Sequence, residues 1–128
     1  MYNPGVDITS VERIKKSLEK PGFLKKVFSE KEAELFFDTE KPKYQSLAAN
    51  FAAKEAFSKA LGTGVRGFEL NEVEILRDNL GRPFFNFYGK AREIVAKGGY
   101  KARVSLSHEG DTAIAFVILE EAGKIINL

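Results

Sequence analysis

The sequence holds no cysteine and no tryptophan, and only one methionine and one histidine. Without cysteine, neither a disulfide nor a thiolate metal site can hold the chain together. That suits a reducing compartment, and a cytoplasmic protein is expected. Long apolar runs are also missing. No stretch approaches the roughly 18 residues that a membrane helix needs. The start, "MYNPGVDITS", has neither the basic nor the apolar segment of a secretory signal. Charge of one sign is scarce: the net is +2. A broadly basic, nucleic-acid-binding surface is therefore not expected.

What is present describes one ordinary domain over residues 1–128. The apolar fraction of 44%, with 11 Phe, is enough for a folded core and excludes a disordered chain. The basic residues are unevenly spread. Arg13, Lys15, Lys16, Lys20, Lys25 and Lys26 lie within residues 11–26, against Glu12 and Glu19. That local excess is larger than the charge of the whole chain.

The pattern begins with helices. "NPGVDI" reads as an extended segment. "TSVE" has the capping-box spacing, with Thr9 as cap and Glu12 reaching back. A helix over 10–19 follows, with Val11, Ile14 and Leu18 on one face, and "KPG" stops it. "SEKE" repeats the capping box at Ser29 and Glu32, predicting a short helix to about residue 37. A longer helix over 45–61 ends at Gly62, a natural left-handed cap. Strand patterns then take over at 72–77 and 84–88, joined by the turn "DNLGRP". A short helix over 89–99 precedes two strands, "KARVSLS" and "TAIAFVILE", around the turn "HEGD". The order predicts an α+β fold, mainly antiparallel sheet packed against helices.

Several side chains stand out against this frame. Phe51, Glu55 and Lys59 recur every four residues and share one side of the long helix. By spacing alone, Glu55 and Lys59 form a surface pair worth about 0.3–0.5 kcal/mol. A carboxylate on a partly apolar face is costly, however, unless it is paired or binds a cation. Asp7 is a second acid, in the extended segment; with Glu55 it would suit Mg²⁺, which prefers oxygen ligands. No spacing rule joins residues so far apart. Glycines at 62, 64 and 67 after Lys59 describe a helix cap and turn, or backbone that holds phosphate. This is no P-loop, since "GK[ST]" is absent and the helix precedes the loop. His108 lies at the tip of the last hairpin, after Ser105 and Ser107. No nucleophile-elbow motif accompanies them, which argues against a Ser–His hydrolase. Arg13, Lys16 and Lys20 form a stripe on the first helix: a solvated face, or a docking strip for an acidic protein.

Taken together, "GVDITSVERI", "NFAAKEAFSKALGTG", "LGRPF" and "VSLSHEGDTAIAFV" resemble, in that order, the signature blocks of the holo-[acyl-carrier-protein] synthases. These are the short bacterial type of 4′-phosphopantetheinyl transferase. The resemblance implies a Mg²⁺-dependent transfer of the phosphopantetheine arm of coenzyme A to a serine of apo acyl carrier protein. Adenosine 3′,5′-bisphosphate would be released. It implies a homotrimer with active sites between subunits, and service to fatty-acid synthesis.

By the same resemblance, Asp7 and Glu55 are metal ligands, and Glu55 is the candidate base. Lys59, Gly62, Pro83, Ser107 and His108 are coenzyme A contacts. Arg13 docks the carrier protein, with Lys16, Lys20 and Lys26 beside it on the basic strip. Asn50 stands where the family commonly has Arg, implying a weakened phosphate contact that Lys41 or Lys43 would replace. Pro4 stands in an otherwise familiar first strand and is expected to disturb its edge pairing. The alternative is a non-catalytic module that binds an acidic protein through the first helix.

Overall fold

In the computed structural model, which describes residues 2–121, an α-helix lies across a three-stranded sheet, with a two-stranded hairpin and short helices around it. Strand β1 (Tyr2–Ser10) runs into α1 (Val11–Ser17), α2 (Phe23–Val27), α3 (Glu30–Phe36) and the long α4 (Tyr44–Leu61). A 3₁₀ turn at Leu70–Glu72 leads to β2 (Val73–Arg77) and β3 (Pro83–Phe87). Then come α5 (Gly89–Gly98), β4 (Tyr100–Glu109) and β5 (Thr112–Glu121). The sheet order is β1-β5-β4, all antiparallel, with β2-β3 forming a separate pair. The expected α+β class with antiparallel strands is what the chain adopts.

The N-terminal segment is a full nine-residue strand paired to β5 from Tyr2↔Glu120 to Ser10↔Thr112. Pro4 does not break it, because β1 is an edge strand and tolerates a missing N–H. Gly5 is needed there: a Cβ would overlap the Ala56 carbonyl, so β1 and α4 touch backbone to backbone. On the inner face, Val117, Leu119 and Ala115 meet Ala52, Ala56 and Phe57 of α4. Phe57 joins Phe85 and Phe87, at centroid distances of 5.9 and 5.0 Å, and so ties the hairpin to the same core.

Local details differ from expectation in three places. The cap of α1 is Ser10, whose hydroxyl accepts from Arg13 N at 3.2 Å; Thr9 remains in the strand and is buried. α2 was not signalled, since five residues opened by a left-handed Gly22 are too short to show a period. His108 lies within β4, because the register Glu109↔Thr112 leaves only Gly110 and Asp111 for the turn. The capping box at Ser29 and Glu32 and the left-handed Gly62 are formed as expected.

Candidate active site

Alternation along β1 turns Asp7 inward while Val6 and Ile8 point out. α4 runs antiparallel over this strand, and Lys59 reaches down to it. Its ammonium donates to Asp7 Oδ1 at 3.0 Å and to the Val6 carbonyl at 3.0 Å. The other oxygen of Asp7 accepts from the Thr9 hydroxyl at 3.1 Å. Lys59 therefore pairs with an acid 52 residues away and not with Glu55 one turn earlier.

Glu55 is half-buried and, among the described residues, has no salt-bridge partner. Burial pushes its carboxyl above the usual glutamate range, and the Asp7 charge adds to that; Lys59 and Arg13 pull it back. Four charges from three elements thus act on one another: Asp7 of β1, Glu55 and Lys59 of α4, and Arg13 of α1. Two carboxylates that repel each other are the donor set a hard divalent cation relieves. Among the described residues no three His, Cys, Asp or Glu side chains gather around one point. Such a cation would complete its shell with water or phosphate oxygens, as Mg²⁺ does. The residues present fit it.

The other candidates are less concentrated. Gly62 ends α4 at φ 82°, with open space where a side chain would go. Lys43 is exposed at the opposite end of α4, 16 residues and about 24 Å from Lys59. Pro83 opens β3 opposite Arg77, on the separate hairpin. Ser107 and His108 sit on β4, two strands from Asp7, roughly 9–10 Å across the sheet. They share a hollow of about 440 Å³ with Ile8 and Ile114. One copy of the chain does not bring His108, Pro83 or Lys43 to the carboxylates. Arg13, Lys16 and Lys20 line one hollow of about 430 Å³ on α1. Lys26 lines a different cleft, of about 880 Å³, between α2 and α3.

Asn50 does not face the carboxylate cluster at all. It is buried and donates to Glu32 Oε2 at 2.8 Å and to the Ile75 carbonyl at 2.9 Å, while Arg77 donates to its oxygen at 2.8 Å. From the sequence, Lys54 stands out on this helix but receives no role or partner. It is fully buried, bonded to Glu32 at 2.7 Å and to the carbonyls of Leu70 and Val73. The available signal is a lysine directly after Ala52 and Ala53 in an alanine-rich helix, but nothing in the spacing names its partner.

Residues 3–117 match the model of the 4′-phosphopantetheinyl transferase superfamily. The chain is 45% identical over 117 residues to a holo-[acyl-carrier-protein] synthase of Clostridium botulinum, covering 91% of this chain and 94% of that one. It is 47% identical over 116 residues to one from Caldanaerobacter subterraneus, covering 89% and 91%. Among solved structures, the synthase of Neisseria meningitidis superimposes with a TM-score of 0.82 at 36% identity, over 92% of this chain and 97% of that one. The Helicobacter pylori synthase in complex with coenzyme A gives 0.78 at 30% identity, over 91% and 99%.

Proposed function

The chain belongs to the 4′-phosphopantetheinyl transferase superfamily, and with that as premise we propose how its residues do the work. It is a phosphopantetheinyl transferase that moves the 4′-phosphopantetheine arm of coenzyme A onto apo acyl carrier protein. A serine oxygen of the carrier bonds to the phosphorus that bears the arm. The bond from that phosphorus to the rest of the nucleotide breaks, its electron pair leaves with adenosine 3′,5′-bisphosphate, and the hydroxyl proton passes to a base.

Glu55 is that base: it is half-buried and holds protons more tightly than an ordinary glutamate. The Lys59 ammonium is held by Asp7 and Val6, yet the side chain is 55% exposed, and its third donor is presented to the diphosphate. Asp7 and Glu55 would hold Mg²⁺, which would supply positive charge to the phosphates and polarise the attacked phosphoryl oxygen. Arg13 adds positive charge beside them and, with Lys16 and Lys20, receives an acidic carrier protein. Cytoplasmic residence and service to fatty-acid synthesis belong to the same proposal.

A homotrimer completes the site. What supports this is the uncovered face of the sheet, where Val6 faces Phe116 and Ile8 faces Ile114 in register. These four side chains are 38–65% exposed in the single chain, a contiguous apolar patch that calls for a partner. Ser107 flanks Ile114 on the same face. Copies meeting there would bring Ser107 and His108 of one subunit toward the carboxylates of the next, with Pro83, Gly62 and Lys43 as further coenzyme A contacts. Phe116→Lys should dissociate the assembly in light scattering; a variant that keeps its mass would remove the sheet face from the interface.

The convergence of Asp7, Glu55 and Lys59 carries the reading. The test is to mix the protein with coenzyme A, Mg²⁺ and apo carrier protein and weigh the carrier by mass spectrometry. The expected result is a gain of one phosphopantetheine that chelation of Mg²⁺ abolishes. No gain on any of several carrier proteins would overturn it.

A further inference from the structure

Much of the buried surface of α4 is alanine: Ala48, Ala49, Ala52, Ala53, Ala56 and Ala60 present only methyl groups, and Leu47 and Phe57 are its large buried side chains. The contact at Gly5 fixes how near β1 lies to α4, and Phe57, seated among Phe68, Phe85 and Phe87, keys the C-terminal half of the helix to the core. Directional bonds add to that packing in setting the rotation of the helix, and on the buried side they come from two successive turns. Lys54 donates to Glu32 Oε1 at 2.7 Å, and Asn50, one turn earlier, donates to Glu32 Oε2 at 2.8 Å. The two oxygens of a single carboxylate are thus gripped by two points on one helical face. That carboxylate is itself fixed, accepting Ser29 N at 2.9 Å and Ile75 N at 3.2 Å. The remaining donors of Lys54 close on the carbonyls of Leu70 and Val73. Among the described residues no buried side-chain polar atom is left without a partner.

We infer that Lys54 is a positioning residue: its ammonium, bound to Glu32, Leu70 and Val73, sets the rotation of α4 so that Glu55, the next residue, faces Asp7 across β1. Successive helical residues differ by 100°. Without those bonds, a small turn of α4 about its axis, within what Phe57 and the Gly5 contact allow, would swing the Glu55 carboxyl away from Asp7. Lys59, one turn farther on, has its own anchors on β1 and tolerates such a turn better. The inference rests on the transferase reading for what Glu55 does, though not for how Lys54 is bound.

The test uses Glu32→Gln/Lys54→Met, which neutralises both partners and keeps their shape, with kcat and KM for coenzyme A measured per folded molecule. Positioning predicts a protein that melts lower, because the carbonyls of Leu70 and Val73 lose their donor, yet is folded at the assay temperature, with a kcat lower by about 100-fold, the size of loss that a misplacement of about 1 Å causes, and a KM within threefold. A kcat within threefold of the unchanged protein would overturn it, as would a raised KM with kcat intact. Lys54→Gln is measured alongside: one atom shorter and with two donors in place of three, it cannot hold Glu32, Leu70 and Val73 together; if the double variant does not fold, the same limits apply to Lys54→Gln. The unchanged protein, run in parallel, separates the two claims: its failure to modify any carrier sinks the transferase reading, whereas equal activity of the variants sinks only the role of Lys54.

Discussion

α4 carries two lysine–carboxylate pairs on two faces, and they are built differently. Lys54–Glu32 is closed to water, with 0% side-chain exposure on both partners and every neighbouring polar group bonded. Lys59–Asp7 is open, at 55% and 17%, and beside it stands the Glu55 carboxyl, which has no salt-bridge partner among the described residues. The first has nothing left to offer a ligand. The second has an exposed ammonium and a carboxyl in excess. Burial alone therefore does not mark a functional charge; incomplete local compensation does.

The largest effect that would sharpen this contrast is on stability. Glu32→Ala strands the buried Lys54 ammonium and should cost about 3–5 kcal/mol, read from denaturant unfolding. Asp7→Asn, at the open pair, should cost no more than about 1 kcal/mol in the same experiment. Equal losses would mean that both pairs are structural.

The next effect is on turnover. Glu55→Gln should lower kcat by about 10²–10⁴-fold, the range for losing a general base. Its melting temperature should hold. Retained turnover would reduce Glu55 to a bystander.

How much of this was legible beforehand depended on distance along the chain. The capping box at Ser29 and Glu32, the cap at Gly62 and the hairpins rest on residues within a few positions of one another, and spacing exposes them. The five-residue α2 is too short to show a period. At α1, adjacent Thr9 and Ser10 both suit a cap; in the fold the Thr9 hydroxyl turns to Asp7 and the Ser10 hydroxyl accepts from Arg13 N, which spacing alone does not decide. The four-residue spacing of Glu55 and Lys59 suggested a partnership that the fold does not make, because β1 offers Lys59 a carboxylate and a carbonyl together. Lys54–Glu32 spans 22 residues and Lys59–Asp7 spans 52, and no local rule reaches either. Asp7 and Glu55 are paired by their chemistry and by the resemblance, with no spacing rule to join them. Their mutual influence is a property of the folded chain.

A smaller effect is on pH dependence. Glu55 holds its proton more tightly folded than unfolded, so its contribution to stability is greatest below the ordinary glutamate range. That contribution is lost as pH rises through its raised value. Mg²⁺ needs the ionised form, and should raise the melting temperature above that window but not below it. Thermal melts across pH with and without Mg²⁺ would show this, and Glu55→Gln should flatten both curves; an unchanged slope in the variant would assign the effect to another group.

The smallest effect is on docking. Lys16→Glu should slow carrier association several-fold at low salt and much less at high salt, since exposed charges act mainly on encounter. Salt-independent loss would point to a folding defect.

The most direct measurement is a crystal structure with coenzyme A and Mn²⁺ in place of Mg²⁺, the ion located by its anomalous scattering. The account predicts one ion bonded to oxygens of both Asp7 and Glu55 and to the diphosphate, with Lys59 on the same phosphates. Coenzyme A bound with the ion elsewhere, or with Asp7 and Glu55 turned away from it, would contradict that claim.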